Sequence, residues 1–76
     1  MISARSTSIQ MNILLNGEPK MVPANISAAH LIEMLELSGK RLAVEINEEI
    51  IPRSCYGSHR LQEGDRVEIV HAIGGG

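Results

Sequence analysis

The sequence has no Trp and no Phe, and its one aromatic residue is Tyr56. A core must therefore be built from aliphatic side chains, and single-stranded nucleic acid, which is held by stacking on rings, finds no platform. A single cysteine, Cys55, excludes an internal disulfide and suits a reducing compartment. Charge of one sign is also scarce. A formal net charge of −2 with interspersed signs leaves no basic stripe for a duplex or an anionic membrane, so the expected partners are proteins, with no nucleic acid and no membrane. No apolar run approaches the roughly 20 residues of a membrane span, and Met1 to Gln10, Ser/Thr-rich with Arg5 its one charge, lacks the apolar core of a signal peptide. The expectation is a cytoplasmic chain of one domain. At 76 residues it buries only about 60% of its unfolded surface, which leaves little room for an enclosed active site.

What is present is patterned from Met11 onward, with residues 1–10 read as a flexible extension. Asn12-Ile13-Leu14-Leu15 runs into Asn16-Gly17, a strong hairpin signal because both residues tolerate positive φ. The return strand, Glu18 to Val22, contains Pro19 and so belongs at a sheet edge, where a missing donor is tolerated. Ser27 is placed to cap a helix whose apolar positions Ala28, Leu31, Ile32 and Leu35 recur at helical spacing. Its expected span is Ala28 to Leu37, with Gly39 as the stop and His30 a weak substitute for the acidic residue of a capping box. Leu42 to Ile46 alternates as a half-buried strand, Asn47-Glu48 turns it, and Ile50-Ile51 makes a brief strand ended by Pro52. Arg53 to Arg60 reads as an irregular crossing loop with Leu61 plugging the core beneath it. After the turn at Glu63-Gly64-Asp65, Arg66 to Val70 alternates again until the glycines.

Right-handed crossover, together with the edge position of the second strand, pairs the first strand with the last in mid-sheet. One helix then crosses one mixed sheet of four to five strands. The expected class is α+β, a β-grasp over residues 11–73 followed by a flexible glycine tail at 74–76, and this order with its Gly-Gly end resembles the ubiquitin-like superfamily.

Catalytic groups are not clustered in this pattern. His30, His59 and His71 are far apart and lack companions at ligand spacing, so no metal site is expected. Cys55 lies between Arg53 and Arg60, which would favour a thiolate, but no base accompanies it. Glu63-Gly64-Asp65 is too acidic to cradle a phosphate. Two features point to a binding role instead. Leu14, Ala43, Val70 and Ala72 alternate onto the sheet face away from the helix and, with Ile73, would form an uncharged patch near the end of the chain. The chain then closes on Gly74-Gly75-Gly76, slim enough to thread a narrow tunnel and able to reach about 10 Å when extended, with the α-carboxylate as its one reactive group.

The words Asn16-Gly17-Glu18, Ala43-Val44-Glu45-Ile46-Asn47, Ile50-Ile51-Pro52-Arg53 and Glu63-Gly64-Asp65-Arg66-Val67-Glu68-Ile69-Val70, in this order before a Gly-Gly end, resemble the ThiS family of bacterial sulfur carriers in thiamine biosynthesis. The resemblance covers Met11 to Gly76. It implies that a ThiF-type enzyme consumes ATP to adenylate the carboxylate of Gly76, and that sulfur from a donor protein then replaces one oxygen. The thiocarboxylate would feed a ThiG-type thiazole synthase. Gly75 and Gly74 would thread the partner's site, and the chain would be a cosubstrate with no bound cofactor. Related possibilities are a MoaD-like carrier for molybdopterin synthesis, a ubiquitin-like modifier of target lysines, and a protein-binding module with incidental glycines.

Overall fold

The computed structural model describes residues 9–71. Five strands, β1 (Gln10–Leu15), β2 (Glu18–Pro23), β3 (Leu42–Ile46), β4 (Glu49–Ile50) and β5 (Arg66–His71), form one sheet in the order β2-β1-β5-β3-β4. The pairing of β1 with β5 is parallel and the other three pairings are antiparallel. β2 therefore lies at an edge, as Pro19 requires, and β5 is the central strand.

The inner face of the sheet presents Met11, Ile13, Val22, Val44, Ile46, Val67 and Ile69 to the helix α1 (Ala28–Met34), which contributes Ala28, Leu31 and Ile32. Ile26, Ile51 and Leu61 close the core from the connections, with Leu61 only 1% exposed beneath the crossing loop. The core residues are Ala, Val, Ile, Leu and one Met, which follows directly from the missing aromatic rings.

α1 is shorter than its periodicity suggests. Glu36 adopts φ 62°, the Leu37 N–H reaches the Ile32 carbonyl at 3.0 Å, and the Glu36 N–H reaches that of Glu33 at 2.9 Å. This pair of bonds is a Schellman ending with Glu36 in the left-handed position, and it stops the helix before Leu37. Gly39, at φ 83°, shapes the turn that follows. Leu37 is drawn back to pack against the core, which stabilises an ending that Glu36 alone does not favour.

The other end of α1 lacks a capping box, yet all four first-turn N–H groups are satisfied. Ala28 donates to the His59 carbonyl and Ala29 to that of Tyr56, both at 2.9 Å. His30 donates to the Ser27 hydroxyl and Leu31 to the Ser27 carbonyl, both at 3.0 Å. The crossing loop thus supplies acceptors for the first two amides of the helix, which the Ser27 cap does not reach. That loop is more regular than expected, with a 3-10 turn at Arg53–Cys55 and a β-bridge between Arg60 and Ser27.

Two boundaries move. β1 begins at Gln10, which pairs with Pro23, and Ile9 already accepts the Ala24 N–H at 2.8 Å, so the ordered pattern starts before Met11. Gln10 and Ile9 are exposed and carry no hydrophobic signal of this pairing. β4 is Glu49–Ile50 rather than Ile50-Ile51, because Asn47 and Glu48 both take positive φ and close a two-residue turn that sets Glu49 opposite Ile46. Residues 1–8 lie outside the described residues.

Candidate functional site

Everything that bears on the C-terminus converges on β5. Val67 and Ile69 are buried, while Arg66, Glu68 and Val70 face solvent. β3 accompanies β5 along its length, from Ile46 opposite Val67 to Leu42 opposite His71. On the other side β1 stops early: its register ends with Leu15 opposite Val67, and the hairpin then carries the chain away.

Asn16 takes over where β1 leaves off. Its backbone N–H donates to the Val67 carbonyl at 2.8 Å. Its side-chain Oδ1 accepts the Ile69 N–H at 2.9 Å and its Nδ2 donates to the Ile69 carbonyl at 3.3 Å. A carboxamide carries the same donor and acceptor as a peptide unit, so this side chain extends the parallel ladder by one step without a strand. The turn permits it because Asn16 and Gly17 sit at φ 52° and 86°, the positive values of a type I′ hairpin. β5 is thereby held on both sides almost to its end. Ala72, Ile73, Gly74, Gly75 and Gly76 follow it and lie outside the described residues.

The start of β5 is fastened by another amide. The Asn47 Oδ1 accepts the Arg66 N–H at 2.9 Å, and its Nδ2 donates to Asp65 Oδ1 at 3.0 Å. Asp65 Oδ2 accepts the Gln62 N–H, Glu63 Oε1 accepts the Asn12 N–H, and Gly64 at φ 85° donates to the Asn12 carbonyl. The acidic turn therefore locks neighbouring segments together through both of its carboxylates. Neither Asn16 nor Asn47 was a candidate from the sequence. The available signal was an Asn at the first position of a two-residue hairpin turn, where the left-handed backbone is tolerated.

Leu14, Ala43 and Val70 are all exposed on the outer sheet face, as alternation requires. They do not form one uncharged patch. Ala43 lies directly opposite Val70, but Leu14 lies opposite Arg66, four residues and about 13 Å back along β5. Glu68, opposite Glu45, intervenes. The apolar surface is thus two separate spots, Leu14 with its cross-strand partner Pro19, and Ala43 with Val70. The second spot forms one wall of a groove of about 270 Å³ that Arg41 and Leu42 complete. Beside it Lys40, Arg41, Leu42, Arg53 and Tyr56 surround a further hollow of about 200 Å³.

Cys55 is a half-buried free thiol packed against the core, and its backbone carbonyl accepts the N–H groups of Ser58 and His59. Among the described residues no three His, Cys, Asp or Glu side chains are grouped so that they would hold a metal ion. No helix among them is long and apolar enough to cross a membrane.

The model of the ThiS family matches residues 13–76. The chain belongs to the ThiS family. The sulfur carrier protein ThiS of Escherichia coli is 32% identical over 66 residues, which cover 87% of this chain and 100% of that protein. The thiazole synthase of Magnetococcus marinus is 42% identical over 66 residues, again 87% of this chain but only 20% of the relative, so the chain spans about a fifth of that enzyme. The crystal structure of the thiamine biosynthesis protein ThiS from Geobacter metallireducens superposes with a TM-score of 0.75 at 29% identity, covering 87% of this chain and 100% of that one. The ThiS likeness bears out the ubiquitin-like β-grasp with its mixed sheet and single helix. The family's matched span runs through the tail to Gly76.

Proposed function

We propose that this ThiS-family chain is a sulfur carrier of thiamine biosynthesis whose chemical handle is the α-carboxylate of Gly76. A carboxylate is a poor acyl donor because its leaving group would be an oxide. A ThiF-type enzyme transfers AMP from ATP to a carboxylate oxygen and releases pyrophosphate. Hydrosulfide drawn from a donor protein then displaces AMP, which keeps that oxygen, and after loss of the sulfur-bound proton the terminus is a thiocarboxylate. A ThiG-type thiazole synthase takes the sulfur. The carrier itself is a cosubstrate: it binds no cofactor, and ATP is consumed by its partner in the cytoplasm.

The single observation that carries this reading is a family match extending from the first core strand to the terminal glycine. Two others support it. Glycine at the last three positions presents the reacting carbon with the least steric hindrance. The thiazole synthases of Magnetococcus marinus and Paramagnetospirillum magneticum each contain a stretch similar to this chain, which supports a thiazole synthase as the recipient.

Amidating or deleting Gly76 is expected to abolish ATP–pyrophosphate exchange by the cognate adenylating enzyme. The melting temperature should hold, since the core lies within residues 11–69. Adding one residue should have the same effect on exchange, because displacing the acyl carbon by even an ångström costs a factor of about a hundred. Exchange retained by the amidated chain would eliminate the mechanism.

A further inference from the structure

The chain carries seven Lys and Arg residues against nine Asp and Glu, yet three of the cations gather at one place. Lys40 and Arg41 precede β3, Arg53 opens the 3-10 turn after β4, and together with Leu42 and Tyr56 they line the hollow of about 200 Å³ without any carboxylate. An adjoining hollow of about 180 Å³ shares Lys40, Arg53 and Tyr56 and has Glu33 on its far wall. All three cations are exposed, and the one salt bridge among the described residues joins Arg66 to Glu48 elsewhere. Their charge is therefore not consumed within the described residues.

The position of the hollow gives this charge a use. Leu42, in its wall, is paired with His71, the last residue of β5, and Arg41 and Leu42 also line the groove that ends on Val70. Cationic hollow and apolar groove thus adjoin through Arg41 and Leu42, next to the last residue of β5. On the outer sheet face beyond Val70 the sign reverses at the facing pair Glu45 and Glu68.

We propose that Lys40, Arg41 and Arg53 form a docking surface for a carboxylate-rich segment of the enzyme that adenylates the tail. This rests on the carrier reading given above. The cations are long side chains from two separate elements spread over an open hollow, an arrangement suited to several carboxylates on a protein surface. The change of sign across Val70 sets the orientation in which the carrier lands, and exposed charge of this kind acts chiefly on encounter rate and register. A nucleic acid would meet the same cations but also the surrounding carboxylates, with a single tyrosine to stack on.

The test is pyrophosphate exchange by the cognate adenylating enzyme, titrated with the parent chain and with Lys40→Glu, Arg41→Glu and Arg53→Glu. Lys20→Glu on β2, at the far side of the sheet, makes the same change in net charge and serves as the control. At low ionic strength each reversal in the hollow should raise the half-saturating carrier concentration by about tenfold, Lys20→Glu should leave it within twofold, and the gap should narrow as salt is added. The maximal rate should hold. Half-saturation moved equally by the control, or a gap that salt does not narrow, would overturn the docking assignment. So would competition by millimolar inorganic phosphate beyond that of chloride at matched ionic strength, which would mark a small-anion site. Absence of exchange by the parent at saturation would strike the carrier reading, and the docking with it, whereas exchange by the parent with unaltered reversals strikes the docking alone.

Discussion

The two hairpin turns grip the same strand from opposite sides and at opposite ends, and they do so with the same residue type. Asn16 closes the first turn and binds Ile69 near the end of β5, while Asn47 closes the second and binds Arg66 at its beginning. Each carboxamide uses both its acceptor and its donor. The surroundings differ. The contacts of Asn47 are exposed and are reinforced by Asp65, Glu63 and Gly64, whereas those of Asn16 are partly buried and have no companion on that side of Ile69 among the described residues. One end of β5 is thus anchored redundantly. The end that leads to the tail depends on β3 and a single side chain.

The largest effect should come from the residue on which this arrangement converges. Ile69→Ala removes a side chain that is 7% exposed from the core and is expected to cost about 2–5 kcal/mol in denaturant unfolding. A loss below about 0.5 kcal/mol would mean that the strand is not held as described.

Asn16→Gly keeps the left-handed backbone and deletes only the amide, leaving a partly buried N–H and carbonyl unmatched. The expected cost is about 1–3 kcal/mol, with a rise in the half-saturating carrier concentration for pyrophosphate exchange. Asn47→Gly, the matched change at the exposed clamp, should cost only about 0.5–1.5 kcal/mol and leave half-saturation alone. Equal effects from the two glycines would dissolve the distinction between an anchored end and a presenting end.

The smallest effect belongs to Glu48. Its ion pair with Arg66 is 3.9 Å long between side chains 59% and 81% exposed, too loose and too wet to matter. Glu48→Gly relieves a φ of 71°, offset by the entropy that glycine loses on folding, and stability should stay within about 0.5 kcal/mol. A larger loss by thermal melting would show that the second turn relies on that pair after all.

How much of this was legible in the chain follows from which interactions are local. Asn16-Gly17 announced its hairpin and Pro19 its edge, because turn chemistry and a missing donor act on neighbouring residues. Alternation gave the correct faces for Leu14, Ala43 and Val70, since side-chain direction has period two. It could not give the level of one strand against the next, and so two apolar spots about 13 Å apart read as one. The helix ended at Glu36 rather than Gly39 because the packing of Leu37, a tertiary contact, holds a left-handed glutamate in place. The cationic hollow was invisible for a similar reason: Arg53 stands beside Lys40 and Arg41 only after β3, β4 and the 3-10 turn have folded.

The way α1 begins also has a kinetic meaning. A seven-residue helix is too short to persist alone in water, and its first two amides are bonded to carbonyls at positions 59 and 56. Helix and crossing loop must therefore become ordered together and, under stress, open together as one cooperative unit. Tyr56 and Arg53 belong to that loop and share a hollow with Ala29, Ile32 and Glu33 of the helix, so a partner that grips them is expected also to slow the opening of the helix.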